Sequence, residues 1–521
     1  LMLSTIHSIA INGLSASRVL IEVNVSPVKG PREPVYIMVG LPDNAVKESK
    51  TRVRSAMENS GYGINGAADI AVNFAPADVK KEGSGYDLPL AIGILQTHDL
   101  LRIEQERMER CLFLGELGLN GDLRPVRGVL PAAILARRLG YEAIFVPEEN
   151  AREAAVVDNL QVFGAGNLRQ VVEHLEGVNL ITPTVVNTRE EFYAAQNRFP
   201  HDFKDVKGQE VAKRAFEVAA AGGHNLLLVG SPGCGKSMMA KRLPSILPPL
   251  SLAESLETTQ IHSVAGKLQR NDTLISTRPF RAPHHTISDV ALIGGGGNIQ
   301  PGEVSLAHNG VLFLDEFPEF SKNALETLRQ PLEDRNITIS RAKYTATLPC
   351  SMMLIAAMNP CPCGYYNDPS HECSCRPGQV QRYMSRISGP LLDRIDLQVE
   401  VTPVPVKELS SAPEGESSAE IRARVIAARE RQTARFAQTP RVHCNAQMEA
   451  PHIREFVHLD ESARQSLETA MNRLNLSARA YERILKVALT IADLAASDVV
   501  TSVHIAEAVS YRNLDRSTWG E

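Results

Sequence analysis

The chain has 521 residues, too many for one ordinary core, so about three compact units are expected. Hydrophobic residues make up 43% and charged residues 22%, as in soluble globular proteins, and no apolar run reaches membrane-spanning length, so a membrane partner is not expected. The net charge of −5 argues against a protein that simply coats nucleic acid, although a ring gripping DNA only through its pore needs few basic residues. The opening LMLSTIHSIA lacks the basic region and small-residue cleavage site of a signal peptide, so the cytoplasm is the expected compartment. There the eight cysteines stay reduced rather than forming structural disulfides.

In chain order, residues 1–182 read as alternating strands and helices. Short apolar runs at 21–25, 70–73, 111–114 and 143–146 suit buried strands, and 44–59 and 130–139 suit the helices between them. Residues 183–202 lose that rhythm, carry polar residues and proline, and are predicted to be a linker. From 203 to 407 the α/β pattern returns, with strands expected at 225–229, 310–314 and 352–356. Residues 408–420, ELSSAPEGESSAE with its neighbours, are rich in Ser, Pro and acid and predict a mobile connector. Residues 421–521 have helical periodicity and few turn residues.

The chemistry concentrates in the second unit. The apolar run Leu226-Leu-Leu-Val229 passes directly into Gly230-Ser231-Pro232-Gly233-Cys234-Gly235-Lys236-Ser237, followed by a helix from Met238. Strand, G-x-x-x-x-G-K-S and helix are the context a phosphate-binding loop requires. Its glycines let backbone N–H groups wrap phosphates, and the helix N-terminus adds partial positive charge. Lys236 is expected on the β- and γ-phosphates and Ser237 on Mg²⁺. Downstream, Val311-Leu-Phe-Leu314 ends in Asp315 and Glu316. Asp315 is expected to hold Mg²⁺ through water, and Glu316 to orient and deprotonate the attacking water. No guanine-reading N-K-x-D occurs, so ATP is expected over GTP. A third apolar strand ends at Met358-Asn359-Pro360, where a polar side chain can stand between the γ-phosphate and that water.

Two further clusters have competing readings. Cys361-Pro-Cys363 and Cys373-Ser-Cys375 read as a tetrathiolate Zn²⁺ site sooner than as disulfides, with free thiols the alternative. Residues 336–347, NITISRAKYTAT, alternate apolar and polar around a basic centre, the pattern of a β-hairpin with Arg341 and Lys343 near its tip. His284 and His285 suit either pore contacts or ordinary packing.

The order of P-loop, acidic pair, Asn359 and Leu391-Leu-Asp393-Arg394 carries a family resemblance. Residues 203–515 resemble the magnesium-chelatase-like AAA+ ATPases, close to the MCM replicative helicases. The whole chain resembles the YifB/ComM family, including Phe280-Arg-Ala-Pro-His-His-Thr286 and Asn359-Pro-Cys-Pro-Cys-Gly364. The resemblance implies a parallel-sheet AAA+ core with a C-terminal helical lid. Residues 36–140, with Val39-Gly-Leu-Pro42, Ala75-Pro-Ala-Asp78, Lys81-Glu-Gly-Ser-Gly-Tyr-Asp87 and Gly115-Glu-Leu-Gly-Leu-Asn-Gly121, resemble the proteolytic domain of Lon-type proteases, which implies an N-terminal Lon-protease-like α/β domain. It implies ATP and Mg²⁺, a homo-oligomer (a hexamer), and a motor for branch migration on single-stranded, duplex or branched DNA in natural transformation. A chelatase-type motor remodelling a protein partner is the alternative.

By the same resemblance Asn359 looks like sensor 1, and Arg394 looks like the finger that completes a neighbour's site, an interface ion pair with Asp393 or Asp396 being the bland alternative. Arg479 looks like sensor 2 reaching the γ-phosphate, with Arg483 competing. Gly294-Gly-Gly-Gly297 resembles part of a helix-2 insertion that projects toward the pore. The hairpin of related rings grips the DNA backbone, which would assign Arg341 and Lys343 to phosphates. In the N-terminal domain, the serine and lysine positions of the Lon dyad hold Tyr86 and Leu130. Ser84 lies two positions away, with Lys80 and Lys81 as the nearby bases. Peptidase activity is therefore not expected, since leucine cannot be a base; the domain is expected to bind DNA or a partner, or to shape the ring entrance.

Overall fold

A computed structural model describes residues 3–28, 30–31, 35–64, 67–296, 299–341, 344–512 and 514. The N-terminal unit is built on a seven-stranded mixed sheet ordered Tyr36–Val39, Ala68–Ala75, Ser15–Pro27, Leu3–Asn12, Cys111–Phe113, Ala143–Pro147 and Gln161–Ala165. Its first two strands form a long antiparallel hairpin, and the last three run parallel because helical segments cross between them. The helix Asn44–Asn59 starts at Asp43, whose carboxylate accepts from the Val46 N–H. The helix Asp87–Thr97 is buried throughout, packed against the sheet.

The second unit has a five-stranded, all-parallel sheet ordered Phe280–Arg281, Val311–Leu314, Met353–Met358, Leu226–Gly230 and Leu397–Val401. The three central strands, Val311–Leu314, Met353–Met358 and Leu226–Gly230, read as unbroken apolar runs because both their faces are covered, whereas the edge strands Phe280–Arg281 and Leu397–Val401 carry Arg281, Gln398 and Glu400. All five point the same way, so the residues that follow the strands share one edge of the sheet and those that precede them share the other. The helical unit behind it is formed by Ser418–Arg435, Ala450–Phe456, Glu461–Leu474, Ala478–Leu494 and Ser502–Ser510. No helix among the described residues is long and apolar enough to cross a membrane.

Both predicted linkers carry structure. Residues 183–202 contain the helix Thr188–Ala195, capped by Asn187, with Phe192 buried. Arg152 pairs with Glu191 at 2.8 Å, and Gln196 donates to the Leu250 carbonyl at 2.8 Å, so this segment bonds to units on either side. In the 408–420 stretch, residues up to 411 close the helix Val406–Ser411, and Ser417 with Glu420 makes the capping box of the long helix that follows. Acid and serine here serve as caps, a use that composition does not separate from mobility.

A buried polar network ties the helical unit to the sheet. His224 donates or accepts at both ring nitrogens, 2.7 Å from Asp396 Oδ2 and 2.7 Å from Thr490 Oγ1. Asp396 also meets Arg483 at 3.2 Å. Burial opposes ionisation of Asp396, yet Arg483 and His224 hold its carboxyl far below the ordinary carboxylate range. Since the folded value lies below the unfolded one, the network stabilises above the unfolded pKa of about 4 and loses that contribution as pH falls further. His224→Ala is expected to cost about 3 kcal/mol, the lower end for breaking a buried pair because Arg483 remains. Urea unfolding at neutral pH followed by circular dichroism measures it; an unchanged midpoint would show that the network is not a clamp.

Candidate functional site

The edge formed by the strand C-termini gathers the P-loop and its partners. Gly233 and Gly235 have φ of 79° and 96°, conformations that side chains resist, and they turn the loop back on itself ahead of the helix Lys236–Ala240. That helix starts two residues before Met238 and stops at Ala240, because Pro244 follows and the chain continues as a 3-10 turn, Leu243–Ile246. The buried Lys236 ammonium donates to the Gly230 carbonyl at 2.6 Å and the Ser231 carbonyl at 3.0 Å, with Asn359 Oδ1 3.5 Å away. Ser237 Oγ donates to Asp315 Oδ2 at 2.6 Å, so two of the expected Mg²⁺ ligands share one spot. Met238 is partly exposed beside them. Lys236, Ser237, Asp315 and Asn359 thus come together from the ends of three strands.

Glu316 sits beyond them with φ 51°, a left-handed conformation unusual for glutamate, and the Asp315 carboxylate accepts its N–H at 2.8 Å. Its carboxylate pairs with His285 Nδ1 at 3.0 Å. His284 packs against His285, ring centroids 4.1 Å apart with the planes tilted by 34°. The two histidines, left open between pore and packing, therefore stand at the acidic pair. Gln209 was missed altogether: it precedes a helix with φ 59° and donates to the carbonyls of Cys234, 3.0 Å, and Thr402, 2.8 Å, bracing the P-loop from outside. A polar residue in a turn carries no signal of that role.

The arginines lie elsewhere. Arg394 ends the short helix Gly389–Leu392 just before the strand Leu397–Val401. That strand is registered residue for residue with Leu226–Gly230, so Arg394 is at the sheet edge opposite Lys236, a strand length of about 16 Å away. It donates to the Pro390 carbonyl at 2.7 Å and ion-pairs with Glu333, not with Asp393 or Asp396. Asp393 is taken by Arg479 at 3.0 Å, and its carbonyl by Arg483 at 3.1 Å. Arg479 and Arg483 therefore share Arg394's edge, and neither stands beside the P-loop of its own chain. Arg394 is the first cause that pulls the Glu333 carboxyl below its usual range.

The four cysteines of the loop after Asn359 converge. Sγ distances are 3.3 Å for Cys361–Cys363, 3.5 Å for Cys363–Cys373 and 3.8 Å for Cys361–Cys373, and all four sulfurs including Cys375 lie within 4.8 Å of one another. A tetrahedral Zn²⁺ with bonds of about 2.3 Å needs sulfur–sulfur edges of about 3.8 Å, so the four thiols fit the ion. The thiols ionise as one cluster: desolvation opposes ionisation of Cys363, but the N–H groups of Tyr365 and Ser374 with the Cys361 thiol bring it down to about 6, while desolvation pushes Cys375 up to about 12 and Cys373 also lies above its usual value.

The residues 336–347 form the expected hairpin, Asn336–Arg341 against Tyr344–Pro349, paired Arg341 to Tyr344. Its tip, with Lys343, lies outside the described residues, as does Gly297 of the glycine run; Arg341 closes the first strand. The rest of the insertion is the helix Asp289–Ile293 and a small ladder, Gly294–Gly295 with Gln300–Pro301. Both elements approach the N-terminal unit, where a cavity of about 410 Å³ is lined by Ser84, Glu116 and Arg127 on one side and Gln300 and Thr345 on the other.

At the Lon-like position, Tyr86 is buried edge-on against Phe74, and burial raises its phenol above the ordinary range. Leu130 is fully buried. Ser84 bonds to Glu116, while the buried Lys81 donates to the Pro76 carbonyl and Lys80 pairs with Glu82. No serine–lysine hydrogen bond occurs there among the described residues.

Comparison with known proteins accords with this arrangement. Residues 202–409 match the family described as magnesium chelatase, subunit ChlI; residues 21–150 and 415–512 match two further segments of that subunit, the latter its C-terminal part. The chain is 43% identical over 517 residues to the uncharacterized protein YifB of Escherichia coli, covering 99% of this chain and 98% of the relative. It is 42% identical over 515 residues to the competence protein ComM of Haemophilus influenzae, covering 99% and 98%. A probable DNA helicase, MCM9 of Arabidopsis thaliana, is 26% identical over 176 residues, 34% of this chain and 22% of that one. A shared architecture along nearly the whole length, with the P-loop, acidic pair and parallel sheet in place, shows that the chain belongs to the YifB/ComM family of magnesium-chelatase-type AAA+ ATPases.

Proposed function

We propose that the chain is a ring-forming motor that hydrolyses ATP with Mg²⁺ and moves DNA, promoting branch migration or strand integration during homologous recombination in natural transformation. The observation that carries the motor is the division of one catalytic centre between opposite edges of the same sheet. Lys236, Ser237, Asp315, Glu316 and Asn359 bind and activate on one edge, while Arg394 and Arg479 stand at the other end of strands about 16 Å long. A chain so divided completes its site only when a neighbour presents its arginine edge, so hydrolysis requires an oligomer, and closed cyclic symmetry makes that a ring, a hexamer in this reading. In the working centre Lys236 and the P-loop N–H groups bind the β- and γ-phosphates. Ser237 and Asp315 hold Mg²⁺, which neutralises phosphate charge when bound. Glu316 takes the proton of the attacking water, Asn359 orients it, and Arg394 with Arg479 stabilises charge on the γ-phosphoryl group. The cysteine quartet holds a structural Zn²⁺.

DNA as the cargo is supported by the 42% identity to a competence protein over almost the whole chain and by the hairpin whose first strand ends at Arg341. The competing cargo, a protein partner, draws on the match to a chelatase subunit. The rate of ATP hydrolysis, measured with single-stranded, duplex and branched DNA, separates the two. Stimulation is expected, strongest with a branched substrate, falling steeply with salt as phosphate contacts do. The double variant Arg341→Ala, Lys343→Ala is expected to lose the stimulation while keeping basal hydrolysis. No response to any DNA at low salt would move the reading to a protein-remodelling motor.

A further inference from the structure

The loop that carries the four cysteines also leans on the P-loop. From Asn359 to Gly378 the chain has no helix or strand, so little backbone pairing holds it. Within it, Gly364 (φ 90°) approaches Pro232 of the P-loop so closely that a Cβ there would sit 2.8 Å from Pro232 Cδ. Asp368 is fastened from one side: its Oδ1 accepts the N–H groups of Ser370 at 2.7 Å and His371 at 3.0 Å. Its other oxygen, Oδ2, and the hydroxyl of Ser231 in the P-loop are both buried and neither has another partner among the described residues; the Ser231 hydroxyl is the first cause that holds the Asp368 carboxyl below its usual range. The two residues line the same small cavity, of about 30 Å³, between the loop and the ends of the strands Leu226–Gly230 and Leu397–Val401.

The segment that makes these contacts, residues 364–372, is the stretch enclosed between the two Cys-x-Cys pairs. An ion bound by all four thiolates closes this segment into a loop and removes most of its freedom to drift from the P-loop. The P-loop in turn depends on Gly233 and Gly235 in left-handed conformations, which are readily lost unless neighbours hold them. Cys361 is two residues from Asn359, whose side chain stands 3.5 Å from Lys236, so the same loop also positions the group that faces the γ-phosphate.

We propose that Zn²⁺ at Cys361, Cys363, Cys373 and Cys375 sets nucleotide affinity, by holding residues 364–372 as a brace on Ser231 and Pro232 of the P-loop. The proposal rests on the zinc and ATP readings given above. The brace pre-organises the phosphate cradle, and without it nucleotide binding must order the loop itself. Ordering one or two side chains at binding is a loss of about tenfold in affinity.

The test uses the full chain and a fluorescent ATP analogue with saturating Mg²⁺. Elemental analysis of the purified protein is expected to give one zinc per chain. Stripping zinc with a chelator, then removing the chelator and restoring Mg²⁺, is expected to weaken the analogue about tenfold, and re-adding Zn²⁺ to restore it. Asp368→Ala retains all four thiols and is expected to keep its zinc yet bind the analogue more weakly, which a merely structural zinc would not produce. This variant decides the matter if the stripped protein proves unfolded in a thermal melt. Absence of zinc would overturn the zinc reading and the brace with it. Full zinc with an unchanged Kd in Asp368→Ala would overturn the brace alone. Failure of the untreated protein to bind the analogue would overturn the ATP reading instead.

Discussion

Glu316→Gln is expected to lower kcat for ATP hydrolysis by about 10²–10⁴-fold while leaving ATP affinity close to that of the native chain. The phosphates and Mg²⁺ are held by Lys236, Ser237 and Asp315, which the substitution does not touch, whereas glutamine cannot accept the proton of the attacking water. In the structure Glu316 is turned toward His285 at 3.0 Å, so it must release that partner before it serves as a base. The measurement is a pair: single-turnover hydrolysis, and equilibrium binding of a fluorescent nucleotide. Slow turnover with unchanged binding separates Glu316 from Lys236, since Lys236→Ala is expected to weaken binding itself. Native turnover in Glu316→Gln would mean that another group activates the water.

Arg394→Ala is expected to cost about 10³–10⁵-fold in hydrolysis, the scale of an arginine supplied in trans, again without loss of nucleotide binding. The loss is expected to be rescued by a partner. A subunit carrying Arg394→Ala has an intact P-loop edge, and one carrying Glu316→Gln has an intact arginine edge, so their shared interface contains one complete site. Random mixing of the two inactive variants should therefore restore about a quarter of native activity, because about one interface in four has the productive order. No recovery on mixing, with both variants still oligomeric by light scattering, would show that Arg394 acts within its own chain or only in an ion pair with Glu333. Arg479→Ala is open to the same mixing experiment, because Arg479 lies on the same edge against Asp393.

What local chemistry dictates was legible without coordinates. The P-loop, the strand that ends in Asp315 and Glu316, the hairpin read at 336–347 and the helix Asn44–Asn59 are each specified by residues adjacent in sequence. Glycines that tolerate the turn, apolar runs that suit buried strands and alternation of side chains are all short-range signals. Family resemblance added roles, and the spacing of the four cysteines left a metal site and free thiols both open until the structure brought the sulfurs together. The helix and the caps inside the two linkers were not legible for a related reason: Asn187 and Ser417 are polar residues, and only the chain around them reveals whether they cap a helix or face water.

The partners of charged side chains were decided by the tertiary structure. Arg394 meets Glu333, Arg479 meets Asp393, and His285 meets Glu316 across separations in sequence of 61, 86 and 31 residues. No local pattern encodes such pairs, because any arginine can satisfy any carboxylate within reach and reach is set by the order of strands in the sheet. That order, with Leu226–Gly230 between Met353–Met358 and Leu397–Val401, brings the binding residues to one edge. The parallel direction of the same strands sends the arginines to the other edge. Hydrophobic runs determine that strands form and are buried; the packing of those strands determines which face of the chain binds nucleotide and which is left for a neighbour.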